Sequence, residues 1–268
     1  MFFKTLKHDL KNSYKDYAML YATMLVFAVL APIGARSNIG LLNVVVAIMF
    51  MFIIFGSFVL MISNTIRFIK RRLFDEGAYF NLTLPVSIET TLFSKILTVT
   101  IWIYATLLFV ILSVGILGIT FANFDLNFLR QVSRFINEFI RHINWVQAFF
   151  SLLYLFIGSF VTACNLILVM TIVNTSWFKK ANYFISLLLF IGLVIIQNWV
   201  DELFNLLAIG RRSVMMVVNP EAKIPEIVTH FTLFKDPLTG TVYVLYQLIW
   251  FGVLFMIIRY LFKKKLEI

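Results

Sequence analysis

The sequence predicts an all-α, polytopic membrane protein with six transmembrane helices, and three observations support this fold class. Hydrophobic residues make up 61% of the 268 residues and charged residues only 13%, whereas an average soluble domain has about 25% charged residues. Several apolar runs reach or approach the roughly 20 residues that a helix needs to cross a bilayer. Lysines and arginines cluster at the ends of these runs, which is typical of membrane proteins that follow the positive-inside rule.

The first segment, about residues 2–15, predicts an amphipathic helix that lies in the cytoplasmic interface of the membrane. Apolar and aromatic side chains recur there at helical spacing, and lysines occupy the other faces. The lysines that we expect to contact the membrane interface are Lys4, Lys7 and Lys11.

Six apolar segments then predict the spans within one permease domain that covers residues 1–268. The predicted inner segments contain 15 of the 23 lysines and arginines, against 8 in the outer segments. This bias predicts that both termini are cytoplasmic. Two further segments, about 123–144 and 201–238, are predicted to lie outside as an amphipathic helix and a polar loop. The spans are predicted at about 17–33, 41–66, 96–121, 145–173, 183–200 and 241–261.

The polar stretch between the second and third spans, about residues 67–95, is the segment that we expect to meet a cytosolic partner. It begins with a basic cluster that predicts contact with lipid headgroups, and continues with an acidic pair, Asp75 and Glu76. Pro85 ends one helix and Ser87 is placed to cap the next. For the acidic pair, the alternative interpretation is a solvated pair that balances the basic cluster. That cluster consists of Arg67, Lys70, Arg71 and Arg72.

Motifs for catalysis or for cofactor binding are absent from the sequence. It contains neither a G-x-x-x-x-G-K phosphate loop nor an H-E-x-x-H metal motif, and no predicted span has an ionisable residue near its centre. We therefore expect no catalytic residue, metal or cofactor in this chain, and an intramembrane enzyme is disfavoured. The net charge is +10, but the lysines and arginines do not form a basic stripe with interleaved aromatic residues. No nucleic-acid partner is therefore expected.

The polar stretch between the second and third spans, called the connector below, resembles a segment of a known family. Asp75-Glu76-Gly77, Tyr79 and the run T-L-P-V-S that ends at Ser87 resemble the segment after the second span in type-2 ABC transporter permeases of Gram-positive bacteria. Those permeases commonly show a phrase close to D-E-G-Y-L followed by T-L-P-V-S. Here Ala78 is inserted between Gly77 and Tyr79.

The resemblance implies a half-transporter without an ATPase of its own. Two six-span subunits would form a dimer, with a second copy or with a paralogue, and each would bind a separate ABC-type ATPase that holds ATP and Mg. This chain itself would hold no cofactor. The residues that the resemblance places at the ATPase are Phe74, Asp75, Glu76, Gly77, Tyr79, Leu84, Pro85 and Ser87.

The function expected from these observations is that of a permease subunit of an exporter in the bacterial plasma membrane. An apolar interior without mid-membrane charge favours an amphipathic or hydrophobic cargo, such as a peptide, an antimicrobial or a lipid. The alternative is a non-transporting immunity or sensor subunit that binds antimicrobial peptides. The outer segment 123–144 is interpreted equally well as a lid over the exit or as a membrane-surface brace.

Overall fold

The computed structural model of this chain is mainly helical and contains one pair of short strands. It describes residues 2–35, 40–74, 87–121, 143–174, 183–206, 215–218, 227–230 and 237–264, and the single positions 130, 131, 133, 134, 137, 140 and 141. The helices are α1 (Phe2–Ala35), α2 (Gly40–Leu73), α3 (Ile88–Phe121), α4 (Trp145–Val173), α5 (Tyr183–Leu206) and α6 (Pro237–Lys264), and the strands are β1 (Met215–Val218) and β2 (Ile227–His230).

Five of these helices are long and apolar enough to cross a membrane. Within the described residues, such stretches cover Ile53–Leu73, Ile88–Ile119, Trp145–Val173, Ile185–Leu203 and Pro237–Lys263. The mainly helical character that the composition predicts is therefore confirmed, and these five helices are compatible with a multi-pass membrane protein. The first predicted span, about 17–33, lies in α1, which is not one of these five.

The strand pair is a local exception to the all-α prediction. β1 and β2 pair antiparallel, with Met215 opposite His230 and Val218 opposite Ile227. Both strands lie inside the segment 201–238, which the sequence predicts as a polar outer loop. Their β-branched valine, isoleucine and threonine residues favour extended backbone over so short a distance.

The chain groups into two compact units, Met1–Arg130 and Gln131–Ile268. In the first unit α1 packs mainly against α3 and also against α2. Contacts between α1 and α3 advance along both helices together, from Asp9 with Lys95 to Tyr21 with Phe109. The two helices therefore run parallel, and α1 is the central element of the unit.

A single continuous α1 replaces the two separate segments that the sequence predicts at 2–15 and 17–33. Buried side chains recur every three or four residues along the helix, as expected for one face. Because this stripe crosses the predicted break without interruption, one straight helix can bury all of it. Phe3 and Tyr14, assigned to the apolar face of an interface helix, are exposed. The buried stripe is Asp9, Ser13, Tyr17, Leu20, Tyr21, Met24 and Ala28.

Both ends of the polar stretch 67–95 are helical, with the basic cluster at the end of α2 and the residues after Ser87 at the start of α3. α2 continues through the basic cluster to Leu73, and α3 already begins at Ile88. Ser87 caps α3, since its Oγ accepts a hydrogen bond of 3.3 Å from the backbone N–H of Thr90. The predicted capping role of Ser87 is thus confirmed.

In the second unit α4 packs most extensively against α6 and less against α5. Asn144 caps α4 by accepting from the backbone N–H of Val146 at 3.2 Å. Inside the unit, amide side chains form interhelical hydrogen bonds, for example from Asn165 Nδ2 to Gln197 Oε1 at 2.9 Å. Cys164 is buried and free, as expected for a small apolar residue within a span. The seven described positions between 130 and 141 are helical and exposed.

Candidate functional site

The predicted ATPase-contacting residues lie at and between the ends of α2 and α3. Phe74 forms the turn that follows α2, and its backbone N–H donates to the Lys70 carbonyl at 3.0 Å. Ser87 caps α3 on the other side of the connector. The structure therefore describes the two residues that flank the predicted docking segment, Phe74 directly after α2 and Ser87 directly before α3. The remaining six, Asp75, Glu76, Gly77, Tyr79, Leu84 and Pro85, lie outside the described residues.

The predicted membrane-interface residues fall on two helices. Lys4, Lys7 and Lys11 are exposed on α1. On α2, Arg67 and Arg71 are exposed, whereas Lys70 and Arg72 are partly buried. Three of these α2 cations belong to the last turn of the helix, where the negative end of the helix dipole stabilises positive charge.

The strongest interaction in the first unit is an ion pair in its interior. Lys95 Nζ on α3 lies 2.6 Å from both carboxylate oxygens of Asp9 on α1. The exposed fractions of the two side chains are 0% and 1%. Ser94 Oγ donates to Asp9 Oδ2 at 3.1 Å. A buried charge is tolerated only when it is paired and hydrogen-bonded, and here the carboxylate has both a cation and a hydroxyl.

Hydrogen bonds continue from this pair along α1. Ser13, also buried, donates its hydroxyl to the Asp9 carbonyl at 2.8 Å. The same hydroxyl oxygen accepts from Trp102 Nε1 on α3 at 2.9 Å. The indole N–H of the partly buried Trp102 thus has an acceptor, and Ser13 links the ion pair on α1 to this side chain of α3.

Stacked aromatic rings extend the α1–α3 contact beyond the polar part. Tyr17 stacks on Trp102 with ring centroids 4.3 Å apart, and Tyr21 stacks on Phe109 at 4.2 Å. The Tyr17 hydroxyl also shares a 2.7 Å hydrogen bond with Thr65 Oγ1 on α2. Tyr17 therefore joins all three helices of the unit.

A groove lies beside this core, between α1 and the last turns of α2. Its volume is about 240 Å³. Ser13 belongs both to the wall of the groove and to the buried hydrogen-bond network. Asn12, Ser13 and Asp16 contribute from α1, and Arg67, Phe68, Arg71 and Arg72 contribute from α2.

Sequence reasoning missed Asp9, Ser13 and the role of Lys95. Asp9 belongs to the segment that was predicted to lie in the interface, and Lys95 was placed at the end of the polar connector. One signal was available: Lys95 is the only lysine or arginine between Arg72 and Arg130. A lone cation at the start of a long apolar helix requires an anionic partner if it becomes buried.

The chemistry of the described residues is that of a structural core and a cationic groove. Among them, no group of three or more histidine, cysteine, aspartate or glutamate side chains is arranged to hold a metal ion. No protein-family model, curated protein or solved structure matches this chain. The class that the fold defines is thus a helical protein with several helices able to cross a membrane.

Proposed function

We propose that this chain is the permease subunit of an ATP-driven exporter in the bacterial plasma membrane, with both termini in the cytoplasm. A separate ABC-type ATPase, which binds ATP and Mg, docks on the connector between α2 and α3. A second copy of the chain, or a paralogue, completes the transporter. The observation that supports this proposal is the way in which α1, α2 and α3 are joined to each other next to the connector.

The helices of that unit are longer than a membrane span. α1, α2 and α3 each have 34 residues, which corresponds to about 51 Å against a hydrocarbon thickness of about 30 Å. In α2 and α3 the most apolar residues lie away from the connector. The helix length that exceeds the hydrocarbon thickness is therefore at the connector end. Both helices therefore extend out of the hydrocarbon toward the connector.

The buried ion pair stiffens this extension. Lys95 lies seven residues after Ile88, about 10 Å along α3, and binds Asp9 there. A docked ATPase can move α3 only if the helix end transmits force without fraying. The Asp9–Lys95 pair ties that end to α1, and the Tyr17–Thr65 hydrogen bond ties α1 to α2. A movement of the connector would then displace three helices as one body.

The proposed cargo is an amphipathic or hydrophobic molecule, such as a peptide, an antimicrobial or a lipid. In the described candidate spans, the charged residues lie near the helix ends, for example Lys95 in α3, Asp201 in α5 and Arg259 in α6. The interior of the bilayer region thus favours apolar cargo over ions or sugars.

Affinity purification of the tagged chain from native membranes tests this function. The expected result is recovery of a P-loop ATPase in an amount close to that of the chain. The double variant Asp75→Lys/Glu76→Lys should lose most of that ATPase and the ATP-dependent efflux of the cargo. Glu202→Lys/Glu221→Lys makes the same charge change on the predicted outer side and should leave both unchanged.

Two outcomes would contradict the proposal. Absence of any ATPase from the wild-type preparation would exclude the exporter assignment. Equal ATPase recovery from the connector variant and from its control would remove the connector as the docking site. Recovery of the ATPase without any ATP-dependent transport would instead support a non-transporting immunity or sensor subunit.

A further inference from the structure

The groove between α1 and α2 has the chemistry of an anion site. We propose that it binds one phosphate group, supplied by an anionic phospholipid headgroup or by a soluble phosphate. This inference goes beyond the proposed export function and does not depend on an ATPase.

The cationic wall of the groove supports this inference first. Arg67, Arg71 and Arg72 line it from α2, and Asp16 is the one carboxylate among its lining residues. Arg67 and Arg71 are four residues apart, so their guanidinium groups lie on the same face of the helix. Like charges at this spacing destabilise a helix slightly, and an anion bound between them would relieve that repulsion.

The guanidinium group is also the side chain best suited to phosphate. It donates two parallel hydrogen bonds to two oxygens of the same anion. Within the part of the chain that the structure describes, neither Arg67 nor Arg71 forms an ion pair. The two exposed arginines can therefore turn toward a ligand without breaking a salt bridge to a described residue.

The size and position of the groove favour a lipid headgroup. A volume of about 240 Å³ is enough for a hydrated phosphate group, since one water needs only about 10–15 Å³ of such space. Arg67 directly follows the apolar part of α2, where Ile66 is its last residue before the basic cluster. Arginines at that position meet the phosphate layer of a membrane leaflet.

A bound phosphate would also act on the core of the unit. Ser13 lines the groove and is hydrogen-bonded both to Asp9 and to Trp102. Because residues of both helices line the groove, an anion that contacts the α2 arginines and the α1 wall together would join the end of α2 to this part of α1. We therefore expect ligand binding to raise the thermal stability of the protein as well.

Native mass spectrometry of the detergent-solubilised full chain tests the site, with dioleoylphosphatidylglycerol as the first probe. We expect saturable binding of one lipid per chain. The variant Arg67→Gln/Arg71→Gln should weaken this binding by about tenfold or more, since each charge-assisted hydrogen bond to phosphate contributes substantially. Arg67→Lys/Arg71→Lys should weaken binding less than the glutamine variant, because it keeps the two positive charges but loses the paired hydrogen bonds of the guanidinium groups.

Arg259→Gln/Lys263→Gln is the matched control, because it removes two positive charges, also four residues apart, from exposed positions of α6 outside the groove. The lipid affinity of this control should stay within about twofold of the wild-type value. The arginine-to-glutamine variant should lose the lipid-dependent rise in Tm together with lipid binding. Circular dichroism and size-exclusion chromatography establish that each variant is folded.

Inorganic phosphate is the second probe and distinguishes the two sources of the anion. Tight lipid binding with weak inorganic phosphate binding assigns the site to a phospholipid. Comparable binding of both assigns it to a soluble phosphate and leaves the anion site in place. Equal weakening by Arg67→Gln/Arg71→Gln and by the Arg259→Gln/Lys263→Gln control, or no weakening by either, would overturn the proposal.

Discussion

The buried pair of Lys95 and Asp9 determines how α1 packs on α3 in an otherwise apolar helical unit. Each charge alone would carry a desolvation penalty of several kcal/mol in such surroundings. Together, at 2.6 Å and with Ser94 as a further donor to the carboxylate, they fix the register of α1 on α3. An apolar contact would tolerate a shift of one helical turn, whereas this pair would not.

Replacement of Lys95 by methionine should therefore destabilise the folded protein by about 3–5 kcal/mol, because it leaves the Asp9 carboxylate buried without a cation. The double variant Asp9→Leu/Lys95→Met removes both charges and should recover most of this loss. Urea or thermal unfolding in detergent measures both effects. If the double variant lost as much stability as Lys95→Met and the single variant Asp9→Leu added together, the two side chains would not be coupled in the way that their geometry indicates.

At this scale, prediction from the sequence succeeded where the signal was local. Ser87 follows Pro85 and precedes an apolar run, and these neighbours were enough to predict a helix cap. Asp9 and Lys95 are 86 residues apart, and nothing near either residue identifies the other. Their pairing depends on how two helices pack, which a single sequence does not encode in any short pattern.

At the scale of the helix, α1 is the element whose interpretation changes most. The sequence favours a break near residue 16, because charges cluster before it and apolar residues follow it. The structure has one helix over Phe2–Ala35. Hydropathy averaged over a window records the change in composition, whereas the buried face from Asp9 to Ala28 keeps the same 3.6-residue period throughout. Periodicity, not average hydropathy, was the informative signal here.

Proline at position 15 tests whether α1 is continuous. Lys15 is exposed in the middle of the helix, so Lys15→Pro should cost about 3 kcal/mol or more by removing a backbone hydrogen bond and by steric conflict with the preceding turn. Lys15→Ala removes the same side chain and should be close to neutral. Fluorescence-detected thermal stability in detergent compares the two. Equal stability of both variants would mean that the chain bends freely at this point.

At the scale of the whole molecule, the direction of α1 bears on how many times the chain crosses the membrane. Five helices qualify as spans by length and composition. An odd number would place the two termini on opposite sides of the membrane. α1 lies parallel to α3 and contacts it from Phe2 near Phe93 to Tyr21 near Phe109. Since α3 is one of the five, this parallel packing supports the prediction that α1 is a sixth span.

Labelling of single cysteines with a membrane-impermeant maleimide tests this topology. The native Cys164 is fully buried, so the wild-type protein should remain unlabelled and provides the background. Ser133→Cys lies at an exposed position of the predicted outer segment and should react in intact cells. Lys7→Cys and Lys263→Cys, both exposed, should react only after the cells are permeabilised.

The labelling pattern separates the six-span from the five-span arrangement without reference to activity. With six spans, positions 7 and 263 lie on the same side, and the excess of lysine and arginine in the predicted inner segments places that side in the cytoplasm. With five spans, the two positions would react under opposite conditions. In that case the parallel packing of α1 on α3 would have to occur outside the bilayer. The membrane would then not explain why Met24 and Ala28 are buried in the apolar half of α1.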